Sequence, residues 1–578
     1  MKKTLLVLSF LGTTLLTPGL FAQGGLDPAD MLKPLGDQWT SYSGDYSGKR
    51  YSSLKQITAA NVKGLSLEWL QTGITTGCGE TGTAAAAAGG FGGGRGGGGG
   101  RGGGGGGGNT PIIVGGFGTG DANNCGQARL GGGVLYVDGV IYAAAPDNVY
   151  AIDARDGTIL WHYYWKTRGG TSLATRGLGM WHDRIFFELH DDWMVSLDAK
   201  TGKELWKKEV SSFDAQYFSS NAPMIFGNHV IAGTGNDMDA PGFIKSYDPE
   251  TGDLQWTFNT TPMNAGDPGV ETWPSLDAAR HGGAQTWIPG SYDPDTHLYI
   301  FGTGNPTPGY TQGRGEGDNL YTCSLVAVNV DTGKMAWYYQ TSPHDTHDWD
   351  STQTPALADM PFNGRMRKLV ITANRNGFFF VLDRVTGEHL LTSKFGLVNN
   401  WSSEIAPDGK LSLDAKGQPK RFPDKDATVA GSLVNSDVTN YPPPAFSPDT
   451  GLFYVPEANS IRISYLYDTD PRGAMGLGGT GGGGGLSWGS FIDAIDYKTG
   501  KVVWRHEASG SSGLLTTAGG VLFTGDGQNL EAWDAKTGKA LWHSQIGGSS
   551  HPPETFLLDG KQRVLATGSA GMFLFTMN

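Results

Sequence analysis

The feature of this sequence that most constrains its fold is a short phrase that occurs seven times. Each copy has an Asp or Asn at the end of an alternating apolar run, then a Gly-bearing corner, then a large apolar residue four positions after the Gly. The copies end at Trp161, Trp206, Trp256, Trp337, Leu391, Trp504 and Trp542. Alternation on both sides of such a corner is typical of two short strands joined by a tight turn. The sequence therefore predicts an all-β protein built from repeated strand pairs.

The spacing of the copies indicates how these strand pairs are organised. Several copies lie about 40 to 55 residues apart, which fits four-stranded propeller blades with loop insertions, whereas a β-solenoid would repeat much faster. The segment LSLEWLQTG around Trp69 is interpreted as a divergent first copy. The predicted fold is an eight-bladed β-propeller whose repeats dock through Trp.

The amino terminus has the pattern of a secretory signal. Lys2 and Lys3 precede an apolar run that ends in small residues before Gln23. Residues 1–22 are predicted to be a signal peptide, cleaved near Ala22, which places the mature protein in the periplasm or outside the cell. Residues 23–578 are predicted to form one propeller domain, with a Gly-rich, low-complexity insertion at 83–109. No later apolar run is long enough to predict a transmembrane segment.

Charge and cysteine content restrict the partners. The formal net charge is -13 with no basic stripe, so nucleic acid is excluded as a partner, and a cation or a cationic redox protein fits better. In an oxidising compartment, Cys78 and Cys125 are predicted to form a disulfide across the Gly-rich insertion that they flank. The sequence contains no Cys-x-x-Cys-His, so it predicts no c-type haem, and any electrons have to pass to a separate acceptor.

Three segments carry a resemblance to a known family. They are GSYDPDTHLYIFGTGNPTPGY, GEGDNLYTCSLVAVNVDTGKMAWYYQTSPHDTHDWD and RKLVITANRNGFFFVLDRVTG. In these segments, and along nearly all of the mature sequence, the chain resembles the methanol and ethanol dehydrogenases that depend on pyrroloquinoline quinone (PQQ). The resemblance implies an eight-bladed propeller that oxidises a small alcohol with PQQ and one Ca²⁺ or lanthanide ion. It also implies a separate cytochrome c or other electron acceptor.

The resemblance assigns catalytic and metal-binding residues. Oxidation of an alcohol on a quinone needs a cation to polarise the quinone carbonyl and a carboxylate to take the hydroxyl proton. In HDTHDWD the family pattern places the catalytic base at Asp348. Asp350 matches an additional carboxylate of the lanthanide-using members, and the Arg that contacts the quinone oxygen is Arg375. The implied metal ligands are Asp237, Asn305, Asp348 and Asp350. Without this context, the acids of HDTHDWD would be read as turn caps.

Asp237 is the less secure metal ligand, because the family usually has Glu at its position. Aspartate is shorter by one methylene group, and the neighbouring Asp239 is the alternative.

The resemblance also assigns residues that bind the cofactor. Trp287 matches the floor under the cofactor ring, where an aromatic face gives broad stacking contact. Arg176 matches an Arg that binds a cofactor carboxylate. The remaining implied contacts are Thr234, Arg375 and Asn440.

The sequence departs from the family pattern in the part that covers the quinone. The family's adjacent Cys pair, which forms a lid over the ring, is replaced by Gly170 and Thr171. An acidic contact is replaced by Gly131, a Thr by Glu188, and a Trp by Ser511.

These departures leave three functions open. The first is an active dehydrogenase with a more open pocket, which the retained acids, Arg and Trp favour. The second is a degenerate propeller without PQQ that binds a metal or a protein. The third, an outer-membrane assembly scaffold, has no need for acids and an amide that converge on one site.

Overall fold

We describe the fold from a computed structural model of the chain. It describes residues 25–76, 110–120, 126–127, 130, 132–169, 175–309, 314–402, 404–414, 420–421, 432–466, 480–549, 551–569 and 571–577. The predicted signal peptide, most of the Gly-rich insertion and the predicted Cys78–Cys125 disulfide lie outside these residues, as do Gly131, Gly170 and Thr171.

The regular structure of the described chain is almost entirely β, and most of its strands are short. The strands of the first half are Tyr51–Ser52 (β1), Leu65–Gln71 (β2), Thr75–Thr76 (β3), Ile112–Gly116 (β4), Gly126–Gln127 (β5), Leu135–Val137 (β6), Val140–Ala145 (β7), Asn148–Asp153 (β8), Ile159–Lys166 (β9), Gly179–Trp181 (β10), Arg184–Glu188 (β11), Trp193–Asp198 (β12), Glu204–Glu209 (β13), Met224–Phe226 (β14), His229–Ala232 (β15), Phe243–Tyr247 (β16), Leu254–Asn259 (β17), Ser291–Asp293 (β18), Leu298–Gly302 (β19), Ser324–Asn329 (β20) and Lys334–Gln340 (β21).

The second half continues in the same way. Its strands are Ala356–Phe362 (β22), Arg365–Ala373 (β23), Phe378–Asp383 (β24), His389–Lys394 (β25), Lys420–Arg421 (β26), Ser432–Asn435 (β27), Ala445–Ser447 (β28), Leu452–Leu466 (β29), Thr480–Asp496 (β30), Val502–Ala508 (β31), Ser511–Thr517 (β32), Val521–Asp526 (β33), Asn529–Asp534 (β34), Ala540–Gln545 (β35), Glu554–Leu558 (β36), Lys561–Gly568 (β37) and Gly571–Met577 (β38). Helical structure in the described residues is limited to the α-helix Leu276–Arg280 and the 3-10 turns Asp30–Leu32, Val62–Gly64, Phe213–Ala215 and Val270–Thr272. No helix in the described chain is long and apolar enough to cross a membrane.

Consecutive strands pair into sheets of four or more strands. We number the sheets by their place in the chain: sheet 1 is β4-β9-β8-β7-β6, sheet 2 is β10 to β13, sheet 3 is β14 to β17, sheet 4 is β18 to β21, sheet 5 is β22 to β25, sheet 6 contains β26 to β31, sheet 7 is β1-β32-β33-β34-β35 and sheet 8 is β2-β38-β37-β36. A separate pair joins β3 to β5. The antiparallel ladder between neighbouring strands follows the predicted strand pairs. The predicted all-β propeller is confirmed, and the predicted number of eight blades stays a prediction.

Five of the seven repeated phrases dock their Trp onto the next sheet through an indole hydrogen bond. Trp206 of sheet 2 donates its indole N–H to Pro249 O at 3.0 Å, and its ring covers Gly252 in the turn between β16 and β17. The same contact joins Trp161 to Ala199, Trp256 to Val330, Trp337 to Arg384 and Trp504 to Ala535. The corner glycine is required there, because a Cβ on Gly252 would lie 2.9 Å from the Trp206 ring.

The segment around Trp69, interpreted as a divergent first copy of the repeated phrase, forms β2. This strand pairs with the carboxyl-terminal strand β38 and completes sheet 8. Trp69 docks on sheet 1 through Ala154 O at 2.9 Å and covers Gly157. The first and last parts of the chain are therefore joined in one sheet.

The hydrophobic core lies between neighbouring sheets. One buried cluster joins Leu298 and Leu325 of sheet 4 to Leu357 and Val370 of sheet 5. Loops at the ends of the strands carry the polar side chains described below, and loop residues such as Trp287, Trp349 and Trp401 also belong to the buried clusters.

The docking contact predicts a large effect of one added methyl group. Gly252→Ala forces an L-residue into a left-handed backbone (φ +70°) and also presses its Cβ on Trp206, which together should destabilise the fold by roughly 2–4 kcal/mol. Gly227→Ala, in the same sheet, is the matched control, because φ is +59° there but no atom lies within 4 Å of the added Cβ. Thermal unfolding should show a clearly lower midpoint for Gly252→Ala than for Gly227→Ala. Equal losses would mean that docking adds nothing beyond backbone strain.

Candidate active site

The centre of the candidate site is the guanidinium of Arg375, in the turn between β23 and β24. Its Nη1 donates to Asp350 Oδ2 at 2.6 Å, and its Nη2 donates to Asp437 Oδ2 at 2.7 Å. Asp348 lies against both nitrogens, with Oδ1 at 3.5 Å and Oδ2 at 3.3 Å. One buried cation therefore holds three carboxylates together, of which Asp348 and Asp350 are largely shielded from water and Asp437 is partly exposed.

This grouping of charges changes the proton affinity of the acids. Burial raises the pKa of Asp348 well above its ordinary range, while Arg375 opposes the rise. Burial also raises the pKa of Asp350. The pKa of Asp237 is raised to about 7, first by burial and then by the charge of Asp350. Acids crowded in this way are common at catalytic and ligand-binding sites, because each carboxylate disfavours ionisation of the next.

The loop between β21 and β22 positions Asp348 and Asp350. The carboxylate of Asp345 accepts the backbone N–H groups of His347 at 3.1 Å, Asp348 at 2.9 Å and Trp349 at 3.1 Å. Asp348 adopts a left-handed backbone conformation (φ +67°), which side chains seldom take without such support. The ring of His347 stacks on Trp349 at 3.9 Å. Asp345 therefore acts as a cap that fixes the direction of Asp348.

Trp287 borders the same group of acids. Its indole N–H donates to Asp350 Oδ2 at 3.1 Å. The residue before it is held by Thr234, whose hydroxyl oxygen accepts the N–H of Thr286 at 3.0 Å. Thr234 is buried next to Thr286, so the structure places it next to the predicted floor of the cofactor site. Its predicted cofactor contact stays a prediction.

Arg176 lies over the face of Trp287. Its guanidinium carbon is 4.9 Å from the Trp287 ring centroid and 5.0 Å from that of Tyr441. Among the described residues, no carboxylate forms a salt bridge with Arg176, and its buried Nε has no hydrogen-bond partner. Asn440, beside Tyr441, donates from Nδ2 to Asp437 Oδ2 at 3.2 Å, which connects it to Arg375. A buried guanidinium with unused donors is suited to a ligand carboxylate.

Asp237 and Asn305 complete the predicted metal ligands. Asn305 donates its backbone N–H to Asp350 Oδ1 at 2.7 Å, and its side-chain nitrogen donates to Pro306 O at 3.1 Å. The amide oxygen of Asn305 is therefore the atom that can ligate a cation. Asp237 Oδ2 accepts from Asn236 Nδ2 at 2.7 Å, whereas its buried Oδ1 has no hydrogen-bond partner. Asp239, the alternative ligand, lies 3.4 Å from His281.

The chemistry of these donors fits a hard cation. Ca²⁺ and similar ions take carboxylate and amide oxygens as ligands, and a buried carboxylate oxygen without a partner gains most from such an ion. Across the described residues, no three His, Cys, Asp or Glu side chains meet closely enough to form a metal site by themselves. Asp348 and Asp350 are paired with Arg375. The predicted metal ligands also include the side-chain amide of Asn305, so they are not a cluster of acids alone. The four-residue metal site stays a prediction.

Sequence reasoning missed two members of the site, Asp437 and Tyr441. Asp437 stands three residues before Asn440 in SDVTNYPPP, without a motif of its own. The sequence signal that could have indicated Asp437 was the presence of an acidic residue in the turn that carries Asn440. Two of the noted departures lie in the described chain: Glu188 is buried and accepts the N–H of Gly233 at 3.4 Å, while Ser511 lies 3.0 Å from the hydroxyl of Thr524.

Comparison with known families supports the resemblance. A family model described as the beta-propeller domain of glucose/ethanol/alcohol dehydrogenase matches residues 119–395, and a model described as outer membrane protein assembly factor BamB matches residues 489–573. Quinohemoprotein alcohol dehydrogenase ADH IIB of Pseudomonas putida is 30% identical over 91% of this chain and 72% of its own length. Quinoprotein alcohol dehydrogenase PedH, also of Pseudomonas putida, is 34% identical over 68% of this chain and 70% of its own length.

Solved structures of related dehydrogenases also resemble this chain. A europium-containing methanol dehydrogenase superposes with a TM-score of 0.77 at 28% identity, covering 94% of this chain and 92% of that one. The quinohemoprotein alcohol dehydrogenase ADHIIG of Pseudomonas putida HK5 also has a TM-score of 0.77, at 26% identity, covering 95% of this chain and 81% of that one.

The cap on the acid loop predicts a structural effect of Asp345→Ala. The change leaves buried N–H groups without an acceptor and should destabilise the protein by about 2–4 kcal/mol. Asp267→Ala is the matched control, because Asp267 also accepts two backbone N–H groups, at Met263 and Asn264, but in a solvated loop where water can replace it. Denaturant unfolding should show a loss under about 1 kcal/mol for the control. Similar losses in the two variants would contradict the role of Asp345.

Proposed function

Because this chain belongs to the family of PQQ-dependent alcohol dehydrogenases, we propose that it is a quinoprotein that oxidises an alcohol. The observation that carries the proposal is the buried guanidinium of Arg375, shared by Asp348, Asp350 and Asp437 beside the indole of Trp287. A propeller that serves only as a scaffold has no physical need for this arrangement, which is costly to bury.

The proposed function includes a cellular location and an electron acceptor. The enzyme acts in the periplasm or outside the cell after signal-peptide cleavage, and it passes its electrons to a separate cytochrome c or other acceptor. The excess of acidic groups in the sequence supports a cationic acceptor.

The residues that would hold the cation are Asp237, Asn305, Asp348 and Asp350. When bound, a Ca²⁺ or lanthanide ion polarises a quinone carbonyl of PQQ, and PQQ accepts the hydride of the alcohol. The residues that would hold PQQ are Arg176, Thr234, Trp287, Arg375 and Asn440. Arg176 offers buried donors to a carboxylate, and Trp287 offers an aromatic face.

Asp348 is the proposed base for the alcohol hydroxyl. Its carboxylate receives the proton, and its raised pKa makes it a stronger base than an exposed Asp. Arg375 has two functions in this step. Its guanidinium opposes the rise in the pKa of Asp348 and so favours the ionised form that can accept a proton. Its Nη groups donate hydrogen bonds to negative charge that develops next to them. The cap by Asp345 keeps the carboxylate of Asp348 directed toward this group.

Replacement of the base tests the mechanism. Asp348→Asn keeps the size of the side chain but cannot accept the proton, so alcohol-dependent dye reduction by protein loaded with PQQ and Ca²⁺ or a light lanthanide should fall by about 10²- to 10⁴-fold. PQQ binding, followed by absorbance, should be retained. A variant with wild-type turnover would exclude Asp348 as the base. Dye reduction that is absent in the wild type despite bound PQQ would favour a binding module over an enzyme.

The carboxylate oxygen Oδ1 of Asp237, which is buried without a hydrogen-bond partner, predicts cation-dependent stability. Ca²⁺ or La³⁺ should raise the thermal midpoint of the metal-stripped wild type, and Asp237→Asn should lose most of this rise. The rise should be larger at about pH 8 than at about pH 6, because a carboxyl with a pKa of about 7 must lose its proton before it ligates a cation. Asp239→Asn is the matched control and should keep the rise. Loss in the control instead would move the metal ligand to Asp239.

A further inference from the structure

Three side chains beside the acid group form a stack. The guanidinium of Arg176 lies between the rings of Trp287 and Tyr441, 4.9 Å from one ring centroid and 5.0 Å from the other. Trp287 is 4% exposed and Arg176 is 7% exposed, whereas Tyr441 is 51% exposed. The stack therefore runs from the buried floor of the site to its solvent side, with Tyr441 as the outermost member.

Tyr441 has a fixed position although half of it is exposed. Its backbone N–H donates to Asn440 Oδ1 at 2.8 Å, and Asn440 is joined through Asp437 to Arg375. The preceding Val438 donates its N–H to Arg375 O at 2.9 Å. Three prolines follow, and Pro443 O accepts the N–H of Leu514 at 3.0 Å. The loop is thus anchored at both ends and stiffened by proline, so the Tyr441 ring is presented to the site by a rigid segment.

Arg176 indicates what the stack is suited to bind. It contacts the two aromatic faces, its buried Nε has no hydrogen-bond partner, and no salt bridge to it occurs within the described chain. An aromatic face on each side and unused cationic donors between them match a flat, negatively charged ring system.

We propose that Tyr441 is the outer wall of the slot for the PQQ ring, opposite the floor that the family resemblance assigns to Trp287. The inference rests on the proposed function and deepens it. It assigns this wall to an aromatic side chain on the loop 437–444, in a chain whose sequence has Gly170 and Thr171 in place of the family's adjacent Cys pair. When the PQQ ring enters the slot, it displaces the Arg176 guanidinium from the faces of Trp287 and Tyr441. The guanidinium then lies at the edge of the PQQ ring, where it donates hydrogen bonds to a PQQ carboxylate.

Two substitutions at one position test the outer wall. Tyr441→Ala removes the aromatic face and should weaken PQQ binding about tenfold, mainly through faster dissociation. Tyr441→Phe keeps the face and should bind PQQ within about twofold of the wild type. Tyr338→Ala, which removes a 41% exposed tyrosine from β21, is the matched control and should bind as the wild type does. The measurements are PQQ titration with excess Ca²⁺, followed by quenching of protein fluorescence, and stopped-flow dissociation, on variants with the wild-type thermal midpoint.

Each outcome supports or overturns a distinct statement. Wild-type affinity in Tyr441→Ala overturns the outer wall and leaves the proposed function in place. An equal loss in Tyr441→Phe and Tyr441→Ala also overturns it, because the hydroxyl group and not the ring face would then make the contact. A wild-type protein that binds no PQQ overturns the proposed function and the wall together.

Discussion

The docking of a Trp side chain on the corner glycine of the next sheet is the contact on which the rest of this structure depends. Each docked ring joins a hydrogen bond to a backbone carbonyl with close packing on a residue that has no Cβ. The site needs this regularity, because its members come from different sheets. Arg176 precedes sheet 2, Asp237 lies in a loop of sheet 3, Trp287 precedes sheet 4, Arg375 lies in a turn of sheet 5 and Asp437 lies in a loop of sheet 6. Their mutual distances are therefore set by the angles between sheets, and these angles are set by the docking contacts.

The charge of the site is the second constraint. Burial raises the pKa of Asp348, Asp350 and Asp237, so keeping these carboxylates ionised around Arg375 is unfavourable for stability. A hard cation among the same oxygens offsets this penalty, and an ionised Asp348 is what proton removal from an alcohol requires. The arrangement therefore fits a binding and catalytic site. The apolar interfaces between sheets supply the stability that the buried acids reduce.

Much of the fold followed from sequence, because the repeated phrase fixes both a turn and a packing partner. The segment around Trp69 was recognised as a copy of the phrase, but local pattern cannot show that β2 pairs with β38 at the other end of the chain. The acids of HDTHDWD and the Arg of ANRNG were identified by family resemblance, and the structure brings them together. Asp437 and Tyr441 were missed for a physical reason. They lie on a loop with no motif, and only the three-dimensional fold places that loop beside Arg375 and Arg176.

The most direct test of the central claim is an anomalous-diffraction map of crystals of the protein reconstituted with PQQ and a light lanthanide. The account predicts one strong anomalous peak within ligand distance of Asp237, Asn305, Asp348 and Asp350, with PQQ density next to it on the face of Trp287. A folded protein without PQQ density and without a peak at these four residues would contradict the account, and it would identify the chain as a propeller that has kept the family's fold without its cofactor.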